Sequence, residues 1–139
     1  MREALIESLK QRFISFDDVI ASNNDKQMGE KLTIDKHKSL GEHLWCIVGA
    51  RESYAKAITS GAWEGFSCSL TDLSQLELAK VAKRSAEDVV KAIESVGQWT
   101  DDREGFLLAL AEHEVMHEGQ IIRHLYGVKR DIPESVKWA

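Results

Sequence analysis

In the stretch LALAEHEVMHEGQIIRHLYG near the end of the chain, His113, Glu114 and His117 spell H-E-x-x-H. Two imidazoles four residues apart stand one turn apart on one helix face and can grip a divalent ion. In zinc proteases the glutamate between them is the general base. Such a protease needs a third ligand. The extended form of the motif places a glycine and a histidine at fixed offsets, and Gly119 and His124 each miss their slot by one residue. The glutamate-ligand form must draw on the short tail after His117, where Glu134 follows a proline. The sequence also offers no edge strand on which to lay an extended peptide, so the protease reading is disfavoured. A di-iron carboxylate site would need a second Glu-x-x-His beside Glu114-x-x-His117, and no second copy exists. Inward histidines are often plain core residues, but a pair side by side must desolvate two imidazoles, a cost that a shared metal offsets.

If a metal is bound, the third ligand comes from another helix. His43 and Cys46, three residues apart, are the candidates. His43 falls closer to the centre of its helix's inner stripe and Cys46 toward the edge. Either can ligate zinc or a similar ion, the thiol only as thiolate, and three protein ligands leave a position open for water.

The elements that must position these groups read as helices, because the chain has one proline, Pro133, and little strand-like alternation. The first helix spans about residues 2 to 20, with Leu5, Leu9, Phe13, Phe16 and Ile20 on one stripe. The polar run SNNDKQMGEK ends it. The second opens at Ser39-Leu-Gly-Glu42, a capping box, and buries Leu40, Leu44, Ile47, Tyr54 and Ile58. A loop, SGAWEGFSCS, follows. Ser74-Gln-Leu-Glu77 repeats the capping pattern and starts a third helix carrying Leu78, Ala82, Val89, Ala92 and Val96, which stops near Gly97. Asp101 and Asp102 favour a fourth helix start, with Phe106, Leu110, Ile121 and Leu125 as its stripe up to Gly127. Four amphipathic helices of similar length predict an all-α four-helix bundle, one domain over residues 1–139. At about 100° per residue, His113, His117 and His124 share the inner stripe of the fourth helix. Leu108, Val115 and Ile122 lie roughly opposite and predict a homodimer through that helix.

A net charge of -5, with basic residues interspersed among acids, argues against a nucleic-acid or anionic-membrane surface. No terminal stretch reads as a signal peptide and no apolar run is long enough to cross a bilayer. Two cysteines, Cys46 and Cys68, are too few to staple a secreted scaffold. The expectation is a cytoplasmic protein with free thiols.

SLGEHLWCIVGARESY and HEVMHEGQIIRHLYGVKRDIP resemble the two signature regions of the DinB/YfiT-like superfamily. The resemblance implies a DinB-type four-helix bundle, usually dimeric, with nickel, zinc or another divalent ion on a three-histidine site. His113 and His117 match the paired ligands, and Gly119 and Gln120 the Gly-Gln that follows. Two positions depart from the pattern. Glu118 stands where the family commonly has arginine, and counting from the helix-opening serine puts the family's third histidine on Cys46 and not on His43.

The resemblance further implies a metal-dependent thiol S-transferase or hydrolase acting on a small molecule, a low-molecular-weight thiol serving as cosubstrate in the first case. Both uses rest on one step, because a Lewis acid lowers the pKa of a bound thiol or water. Glu114 is the candidate base, although a solvated helix glutamate is the plainer assignment. Trp63 and Phe66 are candidates to line an apolar pocket above the metal, and Arg51 and Tyr54 to orient substrate. A rival reading from a different class is a non-catalytic dimeric bundle, stress-related or partner-binding, with a vestigial site.

Overall fold

In the computed structural model, which describes residues 1–139, the chain runs α1 (Arg2–Ala21), α2 (Asp25–Gly29), α3 (Leu40–Ser60), α4 (Gln75–Ser95) and α5 (Asp101–Gly127), with no strand. The long helices begin where their capping residues stand. Ser39 Oγ accepts from the Glu42 amide at 3.1 Å and the Glu42 carboxylate accepts from the Ser39 amide at 3.3 Å, a complete capping box. Ser74 caps α4 through the Glu77 amide alone, without the reciprocal bond. Thr100, one residue before the two aspartates, caps α5. The end of α3 is closed by Gly61 at φ +84°, and by Arg103, whose guanidinium donates to the carbonyls of Ile58 (2.8 Å) and Thr59 (3.1 Å).

The short α2 is an element that the hydropathy pattern does not announce. It lies inside the polar run after α1, held by a capping box between Asn24 and Gln27 and anchored by Met28, which is fully buried.

The main contacts run α1–α4, α4–α3, α3–α5 and α5–α1, so α1 faces α3 and α4 faces α5 across the bundle. Most of the expected stripe residues are buried, while Leu5, Tyr54, Val96 and Phe106 are half-covered at its edges. Two apolar clusters fill the interior. Toward one end Leu9, Phe13, Ile58, Val89, Leu107 and Leu110 pack together, and toward the other Phe16, Ile20, Leu44, Ile47, Ile121 and Leu125. Along α5 the two clusters are separated by a polar stretch in which Glu114, His117 and Glu118 are all buried.

That polar layer is paired internally. Arg51 and Glu114 are fully buried and meet in a two-pronged ion pair, Nε to Oε1 at 2.6 Å and Nη2 to Oε2 at 3.0 Å. The third arm of the guanidinium reaches the Ala82 carbonyl at 3.2 Å, and its Cζ lies 4.5 Å from the centre of the Phe13 ring. Beside it Arg12 and Glu118, 4% and 2% exposed, pair at 3.3 Å. No helix is long and apolar enough to cross a membrane. Of the line expected to face a second subunit, Leu108 and Val115 are exposed, together with Met116, whereas Ile122 is buried in the core.

Candidate functional site

The α3–α5 seam brings His43 against the pair on α5. His43 Nδ1 and His117 Nδ1 face each other at 3.2 Å, and the His113 and His117 rings stand edge to face with centroids 4.5 Å apart. His43 and His117 are buried and His113 is half-buried. All three border a cleft of about 640 Å3 that opens to solvent between the loop before α3 and the middle of α5. Cys46 borders the same cleft, one turn along α3 from His43 and at the rim. Its Sγ accepts from Lys38 Nζ at 3.0 Å and makes no hydrogen bond with either histidine of the α5 pair. The α3 side chain that meets the α5 pair is therefore His43.

The remaining two histidines belong to the same cluster. His37, in the loop before α3, stacks on His124 with rings 5.4 Å apart and meets His43 edge-on at 6.0 Å. His124 is buried, as expected for the inner stripe, and neither of its ring nitrogens has a partner. Sequence reasoning missed His37. It falls in an irregular segment with no periodicity, and its only signal is proximity to the cap at Ser39.

Burial sets the charge state. The pKa of His43 is pushed down to about 4 and that of His117 to about 3. In both, loss of hydration in the core is the leading cause, and neighbouring histidines and the Lys38 ammonium push the same way. His113 and His124 are lowered for the same first reason. These rings are neutral at pH 7, which leaves a lone pair on each for hydrogen bonding or metal ligation.

The donor set fits a divalent ion in part. An ion about 2.1 Å from each facing nitrogen would see their 3.2 Å separation as an angle of about 100°, between tetrahedral and octahedral values. His113 Nδ1 is buried without any partner, a condition ligation would relieve, whereas His43 Nε2, pointing away from the nitrogen that faces His117, would still have none. As arranged, however, no three His, Cys, Asp or Glu side chains converge on one metal position.

The other candidate residues lie elsewhere. Glu114 is fully buried in the Arg51 ion pair, so it is neither the solvated helix residue of the plainer assignment nor a free base: both its oxygens are engaged. Arg51 has no exposed surface to offer a substrate, because its length carries the guanidinium across the core to α5 and α4. Tyr54, half-buried, packs between Trp63 and Phe106. Trp63 and Phe66 are exposed in the loop after α3. Phe66 packs on Trp45 and lies so close over Gly49 that an added Cβ would sit 2.2 Å from its ring. None of these five residues borders the histidine cleft. Glu118, the first of the two departures from the resembled pattern, is buried and paired with Arg12 of α1.

No protein-family model matches the sequence, and no curated protein matches it. Among solved structures, the chain is similar to the crystal structure of a DinB-like protein from Bacillus cereus ATCC 10987. The TM-score is 0.71 and the identity 20%, over 94% of this chain and 95% of that one. The architecture implied by the two signature stretches is thus the one the chain adopts: an all-α helical bundle with the DinB-like fold.

Proposed function

We propose that the protein is a metal-dependent enzyme acting on a small molecule, of the thiol S-transferase or hydrolase type, with His43, His113 and His117 as the metal-holding residues. The observation that carries this reading is the facing of His43 and His117 at 3.2 Å beside His113, at the wall of an open cleft. When bound, a divalent ion such as nickel or zinc supplies Lewis acidity, which makes a nucleophile of a thiol or of water at neutral pH. The chain's own part is to keep the imidazoles neutral by burying them, to fix α5 against α3 through the Arg51–Glu114 pair, and to leave one side of the cluster open to the cleft. Cys46, at the rim with Lys38, stays within reach of a bound molecule and is the second choice for the third ligand. A cytoplasmic location, with a low-molecular-weight thiol as cosubstrate, belongs to the same proposal.

Metal content by mass spectrometry tests it on untagged wild type and on His43→Ala, Cys46→Ala and His113→Ala. Near one equivalent of a transition metal in wild type and in Cys46→Ala, absent from the two histidine variants, is the expected pattern. No uptake even after incubation with nickel and zinc refutes it. The lack of a convergent ligand triad favours one rival, a non-catalytic bundle with a vestigial site. That reading expects no metal, and no change in cellular phenotype when His113 is replaced.

A further inference from the structure

The histidine cleft is also the place where the molecule's charge reverses. The chain carries 23 Asp and Glu and a net charge of -5, yet no carboxylate borders the cleft. Three permanent cations do: Lys36 and Lys38 from the loop before α3, and Arg123 from α5. None of the three takes part in any of the molecule's salt bridges, although seven other basic residues do. Lys36 adopts φ +62°, a left-handed conformation disfavoured outside glycine, in the segment that presents Lys36, His37 and Lys38 to the cleft. At the floor, His43 is 4% exposed and its Nε2 has no partner. Cations without a salt-bridge partner around a concave wall that no carboxylate lines focus a positive potential into it. In an acidic protein such an arrangement has to be built locally.

We infer that Lys36, Lys38 and Arg123 form an anion-recognition rim, and that the cleft takes a small molecule carrying two negative charges as carboxylate or phosphate groups. This rests on the proposal that the histidine cleft is the working site, and it names the class of molecule bound there. A volume of about 640 Å3 suits a ligand of metabolite size. The confinement of the three cations to one cleft excludes the extended basic surface that a nucleic acid needs. Arg123 offers a planar fork to one anionic group, while the two lysines act as point charges for the other.

The test uses protein stripped of metal with a chelator, titrated at low ionic strength with L-malate and, separately, with glycerol 3-phosphate, and followed by amide chemical shifts. L-malamide is the neutral control. One or both dianions should shift amides around residues 36–38 and 117–123 saturably, and the stronger of the two identifies the anionic group as carboxylate or phosphate. Malamide should not bind. K36Q/K38Q/R123Q should weaken binding roughly ten-fold, the sum of three exposed charge contacts. K10Q/K80Q/K91Q, the same charge change away from the cleft, should leave it within about two-fold. Failure of both dianions to bind, equal binding of malamide, or equal loss in the two triple variants overturns the inference. Nickel uptake, measured separately, keeps the two proposals apart: a wild type that binds dianion but no metal sinks the metalloenzyme reading alone.

Discussion

Removing the Glu114 carboxylate tests whether Arg51 and Glu114 hold the bundle together or serve the cleft. Both are fully buried, so neither retains water that could replace its partner. Glu114→Ala leaves the Arg51 guanidinium with two donors unpaired in the core and only the Ala82 carbonyl and the Phe13 ring beside it. Breaking a buried pair by deleting one partner costs about 3–5 kcal/mol, because the remaining charge is stranded. Two charge-assisted hydrogen bonds at roughly 1.5–3 kcal/mol each lead to the same range. Glu114→Gln keeps the shape and one acceptor and should lose somewhat less, about 2–3 kcal/mol. Arg51→Met/Glu114→Leu removes both charges at similar volume and should recover most of the loss, to within about 2 kcal/mol of wild type. Urea unfolding followed by circular dichroism measures all four proteins, and a constant slope with denaturant shows that only stability has changed. The reasoning is refuted if Glu114→Ala costs under about 1 kcal/mol, or if the double variant is less stable than either single variant. A Glu114→Gln protein of wild-type stability that has lost metal-dependent activity would instead return Glu114 to the role of base.

Stability should fall with acid in a defined window. The folded-state pKa values of His43 and His117 lie below the ordinary 6.5, so the unfolded chain binds more protons between those values. Their contribution is complete above pH 6.5 and is lost progressively down to about pH 4 for His43 and about pH 3 for His117. A urea midpoint unchanged between pH 7 and pH 5 would contradict this. Glu118→Arg should destabilise by about 3 kcal/mol or more by facing Arg12 with a second buried cation. Adding Arg12→Glu should recover part of that loss, and thermal melts of the two proteins decide. For the proposed homodimer, wild type should sediment as a dimer at micromolar concentration and Leu108→Lys/Val115→Lys as a monomer, since both positions are exposed on α5. Monomeric wild type removes the proposal.

How much of this was legible beforehand depended on how local the signal was. Helix starts at Ser39 and Ser74 follow from short-range capping chemistry, the start at Asp101–Asp102 from charge at a helix N-terminus, and the apolar stripes from period, so the four long helices and the inward faces of His117 and His124 could be read directly, though not the Thr100 cap. The five-residue α2 escaped because one buried methionine in a polar run makes no periodic pattern.

Residue order along the chain thus determined the secondary structure, the bundle, and the i, i+4 histidine pair, because these depend on neighbours within one or two turns. Which α3 side chain meets that pair was a matter of helix register: His43 and Cys46 are one turn apart, and only the packing of α3 on α5 chose His43. The same packing took Arg51 and Glu114, polar residues 63 positions apart, and buried them against each other. Neither residue alone carries a sign of that, since a charge enters a core only when its partner arrives with it. The loop before α3 carried His37 and the two lysines to the cleft, and Arg123 joined them from α5. Lys36 and Lys38 are neighbours in sequence, but their meeting with Arg123, 85 positions after Lys38, is a property of the folded surface alone.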